Sequence, residues 1–152
     1  TRIALPNEAA FAAFFDKQAT RELAAGTGVP VAPGEAFGAA PPDASTLAKR
    51  YGLPLALKLR HSFELDQIAS RRSVSILHTE AALAAALAAL DRPELYLVEG
   101  FFEGSGVGVS ILAAEGEILQ AFQHHRVLES GPTGGSTYRV SAALDPALEQ
   151  AT

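Results

Sequence analysis

The feature that most constrains the fold is a glycine-rich stretch between two apolar segments, Leu95 to Leu112, with the sequence LYLVEGFFEGSGVGVSIL. A short apolar strand ends at Glu99-Gly100, two phenylalanines follow, and a second strand begins after the glycines. Glycine tolerates positive φ and lets another group approach the backbone closely. The stretch therefore predicts either a hinge between a lid and a platform that holds a flat ligand, or a β-hairpin corner with a bulge.

The composition indicates a folded, acidic protein. Of its 152 residues 48% are apolar, which suffices for a core in one domain or in two small lobes. The net charge of −5 argues against a nucleic-acid or membrane partner, because both select a basic surface. Cysteine is absent, which excludes disulfides and suits a cytoplasmic protein. Methionine is absent too, so we expect a piece of a longer chain.

Residues 1–30 predict two N-terminal helices. The first is alanine-rich and starts after Asn7, and three phenylalanines at helical spacing predict a core stripe on it: Phe11, Phe14 and Phe15. Asp16 is a good N-cap for the second helix, which ends before Gly28. Lys17 stands in the first turn, where a cation opposes the helix dipole. It is therefore either solvated or directed at a bound anion.

Residues 31–98 predict a small α+β lobe. After the turn-rich connection from Pro33 to Pro42, the order is helix, strand, loop, strand, helix, strand, which is typical of a split βαβ unit in an open-faced sandwich. On the strand from Leu55 to Arg60, alternate leucines form a core face and Lys58 lies on the opposite face. Burying a lysine is costly without an anionic partner, so Lys58 is either a phosphate ligand or a surface lysine.

Residues 99–152 predict an antiparallel hairpin that is followed by a flexible loop. The two strands flank a tight turn at Glu115-Gly116. On the return strand His124 and Arg126 share a face, which suits either an anionic substrate or a solvated surface. The loop contains Gly134-Gly135, whose backbone N–H groups are able to bind an anion.

Taken in sequence order, these features resemble the ATP-grasp superfamily. The chain looks most like carbamoyl-phosphate-synthase-like ATP-grasp proteins described as predicted carboxylate–amine ligases. In those proteins a hinge E-x-x-x-G-x-G-V-G-V precedes H-x-R-x-x-E and then P-x-G-G-S. The corresponding stretches here are Glu103 to Val109, His124 to Glu129, and Pro132 to Ser136. The resemblance implies an α+β fold, an ATP-grasp fragment made of a small open-faced lid lobe and the first antiparallel hairpin of the larger lobe.

The resemblance also implies that ATP lies between the lid lobe and the hairpin platform. The residues implied in ATP binding are Lys17, Lys58, Glu99, Gly100, Phe101 and Phe102. The two lysines would contact the phosphates. The backbone carbonyls of Glu99 and Gly100 would accept from the adenine amino group, and the Phe102 N–H would donate to a ring nitrogen.

In the family the γ-phosphate passes to a carboxylate, and an amine or another nucleophile captures the resulting acyl phosphate. His124 and Arg126 are the implied catalytic residues, since cations stabilise phosphoryl charge. The implied substrate-binding residues are Glu129, Gly134, Gly135 and Ser136. The implied partners are ATP and a small carboxylate. Mg²⁺ is the implied metal, with ligands on family strands that come after this sequence, so we expect the fragment alone to be inactive.

The sequence departs from the family at two internal positions. Residues 61–73 lack the glycines that cover the triphosphate in many relatives, and three arginines offer a substitute: Arg60, Arg71 and Arg72. Gly108 stands where several relatives carry an acidic residue. Two other interpretations remain: a non-catalytic nucleotide-binding or interaction module, and an α+β scaffold that binds no nucleotide. The sequence does not indicate an oligomeric state.

Overall fold

The chain divides into two units in a computed structural model, unit 1 (Thr1–Phe101) and unit 2 (Phe102–Thr152). The structure describes residues 5–61, 74–129 and 136–151. The division predicted from the sequence, into 1–30, 31–98 and 99–152, stays a prediction. Within the described ranges no helix is long and apolar enough to cross a membrane.

Unit 1 combines helices with a four-stranded sheet. The helices are α1 (Glu8–Phe15), α2 (Lys17–Gly26), α3 (Ala44–Tyr51) and α4 (Glu80–Ala88). The strands are β1 (Gly34–Ala36), β2 (Leu55–Leu59), β3 (Ser75–Leu77) and β4 (Tyr96–Gly100), and a short 3-10 helix (Pro93–Leu95) precedes β4. The order is β1-β4-β2-β3 and every neighbouring pair is antiparallel.

This strand order contains the predicted split βαβ unit. Strands β3 and β4 both run antiparallel to β2 on its two sides, so they are parallel to each other and α4 connects them. Strand β1 was not predicted, because it lies in the turn-rich connection. It forms against β4 where a glycine, Gly34, lies opposite Glu99.

Local sequence sets the helix ends. The side chain of Asp16 accepts a hydrogen bond from the Gln18 N–H at the start of α2, and Asp43 accepts one from Thr46 at the start of α3. Helix α2 ends just before Gly28 and α3 ends at Gly52, and both glycines have positive φ, 81° and 79°. The cap at Asp16 and the end of α2 before Gly28 agree with the sequence prediction.

The core of unit 1 lies between the sheet and helices α3 and α4. Its buried side chains are Phe37, Ala44, Leu47, Leu55, Leu57, Leu77, Leu83, Leu87 and Val98. Leu57 and Val98 are cross-strand partners, so their side chains share the core face of the sheet. Burial of each large side chain stabilises the fold by about 1.5–3 kcal/mol. The other face of the sheet carries Lys58 and Glu99 beside the buried Ala56 and Leu97.

The predicted aromatic core stripe of α1 is wrong. Phe11, Phe14 and Phe15 are between 45% and 68% exposed. Helix α1 packs mainly on α2, and the rings of Phe11 and Phe15 stack on each other at 4.2 Å instead of entering the core. Helical spacing places the rings on one face, but it does not supply an apolar surface for that face to cover.

Unit 2 is an antiparallel sheet with a terminal helix. Its elements are β5 (Val107–Ala114), β6 (Glu117–Glu129), β7 (Ser136–Ala142) and α5 (Pro146–Gln150), and the strand order is β5-β6-β7. The predicted hairpin is confirmed. Its turn has φ of 52° at Glu115 and 81° at Gly116, the paired positive values of a two-residue hairpin turn.

Candidate functional site

Charged side chains from α2, β2 and β4 meet on the sheet face of unit 1 that is opposite to the core. We name them the basic cluster: Asp16, Lys17, Arg21, Lys58, Arg60 and Glu99. The register explains part of this grouping, because Glu99 is the cross-strand partner of Ala56 and therefore shares a face with Lys58 two residues further along β2. Four cations and two carboxylates give the cluster a formal net charge of +2.

Glu99 is the anion at the centre of this cluster. One carboxylate oxygen contacts the ammonium group of Lys58, and the other lies 3.0 Å from Nη1 of Arg21. Arg21 also donates to the carbonyl oxygen of Gly34 at 3.4 Å. The half-buried Lys58 thus has an anionic partner, but the protein supplies it. The predicted contact of Lys58 with phosphate stays a prediction.

Asp16 joins the start of α2 to the end of β2. Its two carboxylate oxygens lie 2.5 Å and 3.3 Å from the guanidinium nitrogens of Arg60, and one of them also accepts from the Gln18 N–H at 2.8 Å. Burial acts to raise the pKa of Asp16, but hydrogen bonds from Arg60 and Gln18 outweigh it and hold the pKa below its usual value. Asp16 is therefore both a helix cap and an ion-pair partner.

Lys17 lies beside this junction. Its backbone N–H donates to the carbonyl oxygen of Arg60 at 3.0 Å, and its ammonium group donates to the same oxygen at 3.4 Å. Burial lowers the pKa of Lys17, and the charge of Lys58 lowers it further. The structure therefore brings the two predicted phosphate ligands close enough for their charges to repel, which favours binding of an anion.

Sequence analysis missed two side-chain roles in this cluster. It assigned only the backbone of Glu99, and it did not consider Arg21. Arg21 is four residues after Lys17, so the two side chains share one face of α2, and that spacing is a pattern the sequence contains. The side-chain role of Glu99 depends on strand pairing, which the local sequence does not contain.

The backbone of the predicted adenine segment is partly committed to the fold. The N–H of Gly100 donates to Pro33 at 2.8 Å, and the N–H of Phe101 donates to Pro54 at 3.1 Å. The N–H of Phe102 has no hydrogen-bond partner among the described residues. Of these three donors, it is therefore the one that remains for a ligand.

The two predicted catalytic residues lie on one face of the unit 2 sheet. The His124 side chain is buried, at 6% exposure, and its ring lies against Gly108. A Cβ atom on Gly108 would be 2.7 Å from Cε1 of His124, which explains why an acidic side chain does not fit there. Arg126 is half-exposed, and its Nη1 lies 4.0 Å from Oε1 of Glu129, a predicted substrate-binding residue.

Of the three remaining predicted substrate-binding residues, the structure describes Ser136. Ser136 begins β7 opposite Glu129, and its hydroxyl lies 3.2 Å from the carbonyl oxygen of Tyr138. Gly134 and Gly135 lie outside the described residues, as do Arg71 and Arg72. In the parts of the chain that the structure describes, no group of three or more histidine, aspartate or glutamate side chains is placed to hold a metal ion.

The two antiparallel sheets with their helices define an α+β protein that is consistent with part of an ATP-grasp fold. Among solved structures, the chain is similar to N5-carboxyaminoimidazole ribonucleotide synthetase from Thermus thermophilus. The sequences are 25% identical, the TM-score is 0.54, and the match covers 78% of this chain and 31% of the synthetase. No family model and no curated protein matches the sequence. The likeness supports the ATP-grasp superfamily without reaching a subfamily.

Proposed function

We propose that this chain is the ATP-binding part of an ATP-dependent ligase that joins a carboxylate to an amine or a related nucleophile. The observation that carries the proposal is the basic cluster, which gathers an excess of positive charge at a half-buried site. Such a site suits a polyphosphate, because buried cations gain most from an anionic ligand. The structural likeness to a synthetase of the ATP-grasp superfamily supports the same conclusion.

In this proposal Lys17 and Lys58 bind the phosphates of ATP. Glu99, which is itself paired with Arg21, holds Lys58 in place. The segment from Glu99 through Gly100 and Phe101 to Phe102 binds adenine through its backbone. Phe102 supplies the donor, since its N–H is not used by another described residue. A backbone contact of this kind places little demand on side-chain identity.

The proposed reaction has two balanced steps. A carboxylate oxygen attacks the γ-phosphorus and ADP leaves, which gives an acyl phosphate. The amine nitrogen then attacks the acyl carbon, the bond to the phosphate oxygen breaks, inorganic phosphate leaves, and the nitrogen loses a proton. His124 and Arg126 would stabilise the oxyanion charge, and the proposed substrate contacts come from Glu129, Gly134, Gly135 and Ser136. Among the described residues no group of acidic or histidine side chains is placed to hold Mg²⁺, so none of them is assigned to the metal.

Calorimetric titration with Mg-ATP tests the nucleotide site. We expect Lys58→Ala to weaken ATP binding by about tenfold or more, because hydrogen bonds to charged groups contribute about 1.5–3 kcal/mol. Lys49→Ala is the matched control, since Lys49 is an exposed lysine in the last turn of α3. Equal ATP affinity of wild type and Lys58→Ala, with Lys49→Ala also unchanged, would contradict the role of Lys58.

A further inference from the structure

Two arginines lie directly opposite each other on the unit 2 sheet. Arg126 on β6 is the cross-strand partner of Arg139 on β7, so both side chains leave the same face of the sheet from Cβ atoms about 5 Å apart. Like charges at such a position destabilise a sheet. In the described part of the chain Arg139 forms no ion pair, and the ion pair of Arg126 is the 4.0 Å contact with Glu129. Within the described residues, one carboxylate at 4.0 Å therefore offsets the repulsion between the two guanidinium groups only in part.

His124 is the next residue on this face. It is two positions before Arg126 on β6 and lies opposite Ser141. The residue is largely buried, at 6% exposure, and its ring lies against Gly108. A ring N–H of histidine is a hydrogen-bond donor. A ligand that accepts hydrogen bonds would therefore neutralise the arginines and have a further donor beside them.

Two glycines on the β5 side shape the same surface. A Cβ atom on Gly106 would lie 2.7 Å from Cδ of Arg126, and one on Gly108 would lie 2.7 Å from Cε1 of His124. The side chains of Arg126 and His124 therefore lie directly against the backbone of these two glycines. Side chains at the glycine positions would displace both polar groups, so the surface depends on glycine there.

We propose that Arg126 and Arg139, with His124 beside them, form an oxyanion site, and that Arg139 is a substrate-binding residue of the ligase. The ligand is the carboxylate of the small substrate or the inorganic phosphate that the reaction releases, and this identity rests on the proposed function. An oxyanion between two guanidinium groups accepts charge-assisted hydrogen bonds from both. It converts a repulsive cross-strand pair into an attractive site.

The direct test is the NMR signal of the His124 ring, assigned with a His124→Gln variant and followed during titration at constant ionic strength. Sodium succinate and inorganic phosphate are the two probes, and the one that gives saturable shifts identifies the source of the oxyanion. We expect Arg139→Gln to weaken that binding by at least about tenfold. Arg92→Gln is the control, since Arg92 is exposed and pairs with Glu94. Saturation that is unchanged in Arg139→Gln, or no saturation with either probe, overturns the proposal.

Thermal unfolding of the ligand-free protein gives an independent readout. If Arg139 only supports the fold, Arg139→Gln lowers the unfolding midpoint. If Arg139 binds a ligand and repels Arg126 when no ligand is bound, the same substitution raises the unfolding midpoint, because the repulsion is removed. A lowered midpoint counts against the proposal. Mg-ATP affinity separates this proposal from the proposed nucleotide site. Arg139→Gln should keep the affinity for Mg-ATP. Lys58→Ala should lose that affinity but keep the oxyanion binding that the His124 signal reports.

Discussion

At the scale of single residues, the basic cluster contributes to the stability of the protein and to the way this stability depends on pH. Asp16 serves two functions, since its carboxylate caps α2 and pairs with Arg60. Lys17 has a lowered pKa for the opposite physical reason, because burial and the charge of Lys58 disfavour its protonated form. Asp16 thus stabilises the ligand-free protein, and an anion bound beside Lys17 and Lys58 would offset the repulsion between their two charges.

The two functions of Asp16 can be separated by two substitutions. Asp16→Asn keeps a good N-cap and removes the ion pair, whereas Asp16→Ala removes both and should cost about 1 kcal/mol more. The pKa of Asp16 is lower in the folded protein than in the unfolded chain, where it is about 3.8. The ionised carboxylate therefore contributes its full stabilisation above about pH 3.8, and this stabilisation is lost as the pH falls through the lowered pKa. We therefore expect the stability difference between wild type and Asp16→Asn to shrink below that pH. Urea unfolding over a pH series measures it, and a constant difference would argue against the ion pair.

The backbone of Phe102 gives a second prediction at this scale. Phe102→Leu should bind Mg-ATP nearly as well as wild type, because the proposed donor is the main-chain N–H. Phe102→Pro removes that N–H and should weaken binding strongly. Calorimetric titration of both variants measures the difference. Equal losses in the two variants would show that the side chain, not the N–H, is the important group.

At the scale of elements, the fit of β1 beside β4 depends on one glycine. A Cβ atom on Gly34 would lie 2.2 Å from the carbonyl oxygen of Val98, which is a backbone atom and has little room to move. We expect Gly34→Ala to lower the free energy of unfolding by at least about 1–3 kcal/mol, the usual cost of overpacking. Gly38→Ala is the matched control, since a Cβ atom there meets no atom within 4 Å. Denaturant unfolding of the two variants tests this, and similar stabilities would contradict it.

Elements whose ends are set locally were the ones that the sequence predicted. The cap at Asp16 and the turn at Glu115-Gly116 follow from short-range hydrogen bonds and backbone preferences. Strand β1 was missed because three residues give no periodicity and their partner is far along the chain. The phenylalanines of α1 were assigned to the core because spacing predicts a shared face and not what covers it.

At the scale of the whole molecule, the two units differ in how they are stabilised. Every buried hydrophobic residue that the structure describes lies in unit 1, whereas the buried side chains described in unit 2 are the polar Gln123 and His124. Many large apolar side chains of β5, β6 and β7 are exposed. Regions with few buried apolar contacts unfold locally at a low cost in free energy.

Hydrogen exchange should report this difference. We expect the amides of β2 and β4 in unit 1 to exchange more slowly than those of β5 and β7 in unit 2, because opening unit 1 exposes a hydrophobic core. Measurement on the intact protein by mass spectrometry or NMR gives both sets in one experiment. Equal protection of Leu57 and Val109 would contradict the expectation.

The sequence by itself determined the helix ends and the hairpin, because each depends on neighbours along the chain. For the same reason it determined that a strand with a lysine comes before a glycine-rich segment. The tertiary structure decided which charges meet. Glu99 lies beside Lys58 because β4 pairs with β2 in a register that joins residues 41 positions apart. Arg139 faces Arg126 because β6 and β7 pair in continuous register from Gln123 and Ala142 up to these two residues. Such pairings depend on long-range register, which the local pattern of a strand does not specify.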